Sequence, residues 1–303
     1  MLLCKIILYS ESMFRVEIGY EGTDAGMKHL IIIRGGGEIA TAIACRMHNS
    51  GYEVLLLEKA RPSAIRREVS FADTVYEGEK TVERLTCYCA ENVQTAEKLL
   101  RSKKITMLVD ACGRYIKKFR PHILINTLNG NVEENRRPYK ADYVIGLGSG
   151  FCAHRDVDCV IETHRGHDLG RLIYEGHAQR NRNLKDLESE TGCLFSAGAV
   201  GVIRSPRTIS NVLRTGDVIA ELYDEENGRN VEIRAPFPGV LRGLIHDGFR
   251  CLSKDILVAE IDSRNDPGIC FSISEKARCI SGAVLEAVMA FESGTRSANR
   301  TEI

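Results

Sequence analysis

Short apolar runs alternate with helical patterns along the first half of the chain. Near-continuous hydrophobic segments occupy residues 28–34, 53–58, 105–109, 122–126 and 143–146. Between them, apolar positions recur with a helical period at 41–50 and from about 92 to 102. Strands that are apolar on both faces are typical of a parallel sheet covered by helices on both sides. The pattern therefore predicts an α/β domain at 27–192, with a further short strand at 73–76.

Three glycines, Gly35, Gly36 and Gly37, directly follow the first predicted strand, and Glu38 and Ile39 come next, just before the predicted helix at 41–50. With Ala40 they fit the spacing G-x-G-x-x-A, which is typical of a turn that binds phosphate. Glycine lets the backbone approach a phosphate closely, and the first turn of a helix offers unpaired N–H groups. We therefore predict that residues 35–39 contact a nucleotide phosphate. The alternative is a glycine-rich turn that has lost its ligand.

An acidic residue, Glu58, ends the second predicted strand, 23 residues after Gly35. A Rossmann-like dinucleotide domain carries the acid that binds a ribose near this position. Arg61 follows closely, and it either contacts a 2′-phosphate or pairs with Glu58. The predicted cofactor is therefore NAD(P) or another nucleotide that contains AMP, with no choice between NAD and NADP.

Further polar residues and glycines follow the later strands of the predicted sheet. Asp110 and Gly113 come after the strand at 105–109, and Asn126 ends the next one. Gly148 lies in a second glycine cluster, residues 146–150, which is either another anion-binding loop or a flexible exit from the sheet. Because ligands collect at the carboxyl ends of parallel strands, we expect all of these positions to line one crevice.

The character of the chain changes at about residue 193, where short strands with turn residues begin. The segment 201–204 recurs as 239–242, and 216–219 recurs as 254–257, both 38 residues later. We therefore predict a smaller, duplicated β domain at 193–292, similar to the barrel-sandwich hybrid of biotinyl and lipoyl carriers. The hairpin at 224–230 contains no lysine, which argues against covalent biotin or lipoyl and favours a docking or lid module.

Composition excludes several classes of function. Forty-one basic and forty-one acidic side chains cancel, which argues against nucleic-acid binding and against charge-driven membrane binding. The sequence shows neither a transmembrane segment nor a secretory signal, and its eleven cysteines have no regular spacing. We therefore expect a cytoplasmic protein with reduced thiols. The sequence is compatible with a homo-oligomer but does not predict the oligomeric state. Residues 1–26 and 293–303 are predicted to flank the two domains, and both are candidates for disorder.

A polar segment between residues 152 and 177 is dense in Cys, His, Asp and Glu, but it lacks the spacing of a metal site. We therefore predict no metal there and favour a hydrogen-bonded strand end. Arg165 and His167 flank a glycine in this segment. They either grip a phosphate or carboxylate, or Arg165 forms an interdomain salt bridge with Asp156 or Glu162.

A series of distinctive strings runs through residues 27–292. They are RGGGEIA at 34–40, GLGSGF at 146–151, DVDCVIET at 156–163, RGHDLGRLIYEG at 165–176, SEKAR at 274–278 and GAVLE at 282–286. Together they resemble the YqeB family of accessory proteins in the selenium-dependent molybdenum hydroxylase system. The Rossmann half of that family is related to the maturation factors of xanthine dehydrogenase.

The resemblance implies a cytoplasmic accessory protein that binds a nucleotide or a molybdopterin cofactor. It further implies a molybdenum hydroxylase subunit as partner, whose cofactor the protein helps to mature or insert. The chain departs from the family pattern at 179–185, where a proline-rich turn is expected. The alternative hypothesis is an NAD(P)-dependent oxidoreductase, for which only His167 or Lys59 could donate a proton.

Overall fold

The computed structural model describes residues 29–128, 141–180, 192–224 and 227–294. The expectations for 1–26, for 181–185 and for most of the C-terminal flank fall outside these ranges. Within the described ranges, none of the helices combines the length and the apolar character that crossing a bilayer requires.

The first region is built around a large sheet. The described residues form nine strands in the order β10-β9-β7-β6-β1-β2-β5-β4-β3. These strands are β1 (Leu30–Arg34), β2 (Glu53–Glu58), β3 (Glu79–Val82), β4 (Leu85–Ala90), β5 (Ile105–Val109), β6 (Ile123–Asn126), β7 (Tyr143–Leu147), β9 (Cys159–Ile161) and β10 (Leu172–Ile173). The strands from β9 to β4 run parallel, whereas β10 and β3 pair antiparallel at the two edges. Two short strands, β8 (Cys152–Ala153) and β11 (Gly176–His177), pair beside this sheet.

Helices cover both faces of the large sheet. They are α1 (Glu38–Asn49), α2 (Thr74–Glu77), α3 (Val93–Arg101), α4 (Ile116–Phe119) and α5 (Glu275–Glu292). Because successive strand residues point to opposite faces, Ile31 and Ile33 of β1 pack in the core with α1 and α5, while Leu30 and Ile32 pack with α3 and α4. The apolar runs on both faces of each strand thus have a partner layer.

The second region repeats one unit twice. Its described strands are β12 (Gly192–Ser196), β13 (Gly201–Arg204), β14 (Val212–Leu213), β15 (Val218–Asp224), β16 (Arg229–Arg234), β17 (Gly239–Leu244), β18 (Arg250–Cys251) and β19 (Leu257–Asp262). They form two four-stranded antiparallel sheets, in the orders β16-β15-β13-β18 and β12-β19-β17-β14. Strand β14 of the first repeat pairs with β17 of the second, and β18 pairs with β13 in return. The 38-residue repeat therefore corresponds to two interleaved units.

The predicted fold class was wrong. The large sheet is mixed rather than the purely parallel sheet of the Rossmann-like prediction, because β3 and β4 form a tight hairpin and β10 folds back on β9. The second region consists of two antiparallel four-stranded sheets, rather than the barrel-sandwich hybrid that the repeat suggested. Apolar content predicts burial, but it does not distinguish the direction of an edge strand. The predicted strand at 73–76 was also wrong, because Thr74–Glu77 is helical.

The last helix returns to the first region. Residues of α5 such as Ile280 and Val284 belong to the same hydrophobic core as α1. The chain therefore passes from the large sheet to the duplicated strands and back again. The domain bounds 27–192 and 193–292 stay predictions.

Candidate functional site

The glycine turn after β1 has one residue in a conformation that requires glycine. Gly35 has a φ of +105°, and its N–H donates to the carbonyl of Leu57 at 2.8 Å. A Cβ at Gly35 would lie 2.5 Å from Oγ1 of Thr127, so this position has neither the backbone angle nor the room for a side chain. Gly35 therefore shapes the turn.

The next glycine is packed inside the protein. A Cβ at Gly36 would lie 2.9 Å from Cε of Met107 and 3.1 Å from Cα of Ala72. Its N–H donates to Oε2 of Glu58 at 2.7 Å, and its carbonyl accepts from the N–H of Ala72 at 2.8 Å. Gly36 thus connects the turn to β2 and to the segment that follows it.

Gly37 differs from both of its neighbours because it faces open space. Apart from Gly37 and its two chain neighbours, no described residue has an atom within 4 Å of a Cβ built at this position. Gly37 is the N-cap of α1, with extended backbone angles, and no side chain caps the helix. The first turn of α1 therefore has no side-chain acceptor at its N-cap, and phosphate binding by this turn stays a prediction.

Glu58 lies beneath this turn at the end of β2. Its Oε2 accepts from Gly36, and its Oε1 accepts from the N–H of Lys59 at 2.8 Å. The side chain is almost fully buried, and this burial raises the pKa of Glu58 even though the two backbone N–H groups lower it. Arg61 is exposed, and within the described residues it forms no ion pair with Glu58. The carboxylate therefore holds the glycine turn in place through its hydrogen bond to Gly36.

Glu38 joins the glycine turn to the second region. Its Oε2 pairs with Nη1 of Arg66 at 2.6 Å, and its Oε1 accepts from the N–H of Ser274 at 2.8 Å. Arg66 also donates to both oxygens of Glu260, a fully buried residue of β19, at 2.5 and 2.7 Å. Glu38 was predicted to contact the cofactor, but in the structure both of its oxygens bind protein donors. The sequence reasoning missed Arg66, whose partners are distant in the chain.

The other strand ends meet at the same edge of the sheet. Glu58 lies opposite Val109 in the register of β2 and β5, and Asn126 lies between Arg34 and Gly146. Asp110, directly after β5, is buried, and its Oδ2 accepts from the N–H of Tyr115 at 2.8 Å. The register thus brings the predicted positions at these strand ends together.

Two predicted glycines at this edge have left-handed backbone angles. Gly113 has a φ of +69°, and its N–H donates to the carbonyl of Asp110. Gly148 has a φ of +75°, and its N–H donates to the carbonyl of Ile161 at 2.9 Å. Both glycines therefore allow the backbone to turn at these positions. The N–H of Gly148 is already hydrogen-bonded to a residue of β9.

Arg165 and His167 lie beyond the end of β9. Nη1 of Arg165 lies 3.2 Å from Oε1 of Glu275, so its ion pair is with α5 and not with Asp156 or Glu162. Nε of Arg165 is buried and has no hydrogen-bond partner among the described residues. Glu162 instead accepts from the backbone N–H groups of Thr163, His164 and Gln179. His167 is exposed, whereas Arg165 is half-buried.

A basic residue that the sequence reasoning missed, Lys276, lies in the first turn of α5. It is half-buried, and it interacts electrostatically with Arg165, Arg66, Glu38 and Glu162. Burial, together with the charges of the two arginines, lowers the pKa of Lys276 to about 8. The only signal in the sequence was the string SEKAR, which carries this lysine.

In the described residues, neither the thiols nor the polar segment at 152–177 forms a second candidate site. Cysteines in the described ranges form no disulfide bonds, and burial raises the pKa of both Cys87 and Cys89. Over the same ranges, His, Cys, Asp and Glu side chains form no group that could hold a metal ion. The carboxyl edge of the large sheet is therefore the candidate site, with Gly37 and Lys276 as its open donors.

The described geometry thus consists of a glycine turn at the uncapped N-terminus of α1, with Lys276 of α5 nearby. A comparison with protein-family models finds no match. The chain is 36% identical over 262 residues to the uncharacterized protein YqeB of Escherichia coli strain K12. That match covers 86% of this chain and 47% of the relative, so the chain spans about half of the relative's length. The chain belongs to the YqeB family.

Several solved structures show a distant likeness. The product-bound ectoine utilization protein EutE (DoeB) of Ruegeria pomeroyi is 10% identical, with a TM-score of 0.22 over 76% of this chain and 57% of that one. A succinylglutamate desuccinylase/aspartoacylase of Rhodobacter sphaeroides is 11% identical, with a TM-score of 0.22 over 75% and 51%. A succinylglutamate desuccinylase of Silicibacter sp. TM1040 is 11% identical, with a TM-score of 0.24 over 78% and 86%. At these scores the likeness carries no functional argument.

Proposed function

We propose that this chain binds a phosphate-bearing cofactor, either a nucleotide or a cofactor of the molybdopterin class. We further propose that it acts in the cytoplasm as an accessory protein in the maturation of a selenium-dependent molybdenum hydroxylase. The ligand class is argued from the site, and the biological role is argued from the resemblance to the YqeB family.

The observation that carries the proposal is the contrast among the three glycines. Gly35 and Gly36 are enclosed by protein atoms, whereas a side chain at Gly37 would enter open space. A helix N-terminus without a side-chain cap has N–H groups and a partial positive charge that suit a phosphate. A glycine that is free of internal contacts at this position fits a role in letting a ligand approach.

Glu58 is compatible with a nucleotide as the ligand. A carboxylate has about four lone-pair sites, and the N–H groups of Gly36 and Lys59 occupy two of them. The remaining sites could accept hydrogen bonds from the two hydroxyls of a ribose. The oxidoreductase alternative has weaker support, because Nζ of Lys59 donates to Oγ of Ser63 and His167 is exposed.

We propose that the second region contacts the hydroxylase subunit. Tyr223 and Leu252 are large apolar side chains that are more than half exposed there. Exposed apolar residues of this size are common where proteins associate. Co-purification of the chain with a co-expressed hydroxylase subunit tests this part of the proposal. Recovery of each protein alone would contradict it.

The ligand proposal is tested by titrating the purified protein with AMP, ADP, NAD, NADP and molybdopterin, with calorimetry and thermal melting as readouts. We expect at least one of these ligands to bind and to raise the melting temperature. Gly37→Val should abolish binding and leave the unliganded protein folded, since its side chain enters the open cradle. Absence of binding by all five ligands would overturn the proposal. Turnover of a carbonyl substrate with NAD or NADP would favour the oxidoreductase.

A further inference from the structure

The first turns of two helices meet beside the glycine turn. Oγ of Ser274 caps α5 by accepting from the N–H of Ala277 at 3.3 Å. The N–H of the same serine donates to Glu38, which is the first residue of α1. This contact brings Lys276, two residues further along α5, close to the head of α1.

The basic side chains around this junction differ in how they are neutralised. Arg66 is paired with Glu38 and Glu260, and Arg165 is paired with Glu275. Among the described residues, no carboxylate lies within ion-pair distance of Nζ of Lys276, although the charge of Glu162 acts on it. Lys276 is thus a half-buried cation beside two arginines.

Such a cation is unfavourable in the absence of an anion, because burial and like charges both oppose its charged form. The lowered pKa of Lys276 reflects this cost. Nε of Arg165, also without a hydrogen-bond partner among the described residues, is a second buried donor at the same junction. A dianionic group carries enough acceptor sites for both donors and for N–H groups of a helix N-terminus.

We propose that Lys276 and Arg165 hold the phosphate group of the ligand together with the N-terminus of α1. The inference rests on the proposed function, since it names the side chains that bind the same ligand. The recognised chemistry is a phosphate monoester or a pyrophosphate. Free pyrophosphate and a nucleotide diphosphate share it and are compared in the test.

The test measures the affinity of ADP and of inorganic pyrophosphate by calorimetry at pH 7. Lys276→Met should weaken the binding of ADP by about 10- to 100-fold, the size of a lost hydrogen bond to a charged group. Lys276→Arg should stay within a few-fold of the wild type because it keeps the charge. Lys98→Met, which changes an exposed lysine on α3, is the matched control and should bind as the wild type does.

A pH series provides a second readout, which compares the wild type with the charge-conserving variant Lys276→Arg. The affinity of the wild type should fall between pH 7 and pH 9.5 as Lys276 loses its proton, while Lys276→Arg should show a flatter profile. The charged groups that act on Lys276 in this range are Arg165, Arg66, Glu38 and Glu162. Equal profiles for the wild type and Lys276→Arg would overturn the inference.

The two proposals fail in different ways. If the wild type binds neither ADP nor pyrophosphate, and none of the other titrated cofactors, both proposals are overturned. If the wild type binds and Gly37→Val does not, but Lys276→Met binds as tightly as the wild type, only the inference about Lys276 is overturned. Weaker binding of both probes by Lys276→Met supports recognition of the phosphate itself.

Discussion

Two pairs of buried carboxylates, one at the carboxyl edge of the large sheet and one in the duplicated strands, differ in their hydrogen-bond donors. At the carboxyl edge of the large sheet, Glu58 and Glu162 accept hydrogen bonds from backbone N–H groups. In the duplicated strands, Glu260 and Asp262 are paired with arginines, among them Arg242. Glu58 and Glu162 thus support loops, whereas Glu260 and Asp262 form ion pairs.

The difference indicates where a ligand is needed. Arg242 and Arg264 neutralise Glu260 and Asp262 within the protein. The edge of the large sheet has acids bound to loops and leaves a helix N-terminus and Lys276 with no acid paired to them in the described residues. An unneutralised positive site suits an anionic ligand, whereas a closed ion-pair network suits structure. Arg66 links the two regions, because it pairs with Glu38 at the sheet edge and with Glu260 in the duplicated strands.

The largest effect should come from removing Arg66. Arg66→Met leaves Glu38 without its cation and leaves Glu260 with Arg242 alone, at 4.0 Å, which should cost about 3–5 kcal/mol of the free energy of unfolding. Urea denaturation measures this loss. The control is Arg204→Met, which breaks an exposed pair with Asp247 and should cost no more than about 1 kcal/mol. Equal losses in the two variants would contradict the structural role of Arg66.

The next effect separates the two adjacent glycines. Gly36→Ser should lose about 1–3 kcal/mol, because its side chain collides with Met107 and with the backbone of Ala72. Gly37→Ser should stay within about 0.5 kcal/mol of the wild type, since Cβ is unobstructed and serine is favoured at an N-cap. Thermal and urea unfolding of both variants check the contrast. A collapsed Gly37→Ser protein would show that this glycine is structural.

The smallest effect concerns acid stability. Burial raises the pKa of Glu38, but the charge and hydrogen bonds of Arg66 outweigh it, so the pKa of Glu38 lies below the ordinary 4.5 in the folded protein. The stabilisation by ionised Glu38 should therefore be complete above pH 4.5 and decline as the pH falls through the lower folded value. The stability gap between the wild type and Glu38→Gln should narrow over this range. Glu286→Gln, at an exposed position on α5, should show no such trend.

The sequence predicted the parts of the fold that depend on local pattern. Strands β2 and β5 have the predicted bounds, and α1 and α3 lie within three residues of theirs, because apolar runs and helical periods are local signals. The edge strands β3 and β10 were not predicted, because neither segment carries an apolar run of the length that marks a buried strand. The fold class was wrong for that reason.

The candidate site shows the same limit. The glycine turn was found because its residues are adjacent in the sequence. The contacts that connect it to the rest of the protein join Arg66 to Glu260, 194 residues apart, and Glu38 to Ser274, 236 residues apart. No spacing rule predicts such pairs. Sequence also could not show that Gly36 is enclosed and Gly37 is open, because that depends on Met107 and Ala72.

Amide hydrogen exchange at the head of α1 tests the central claim most directly. We expect the N–H groups of Gly37, Glu38 and Ile39 to exchange more slowly when ADP is added at saturating concentration, because they then donate to its phosphates. Gly37→Val should show no such change. Unchanged exchange at these three residues in the wild type, with or without protection elsewhere in the chain, would contradict the claim that this turn holds the anion.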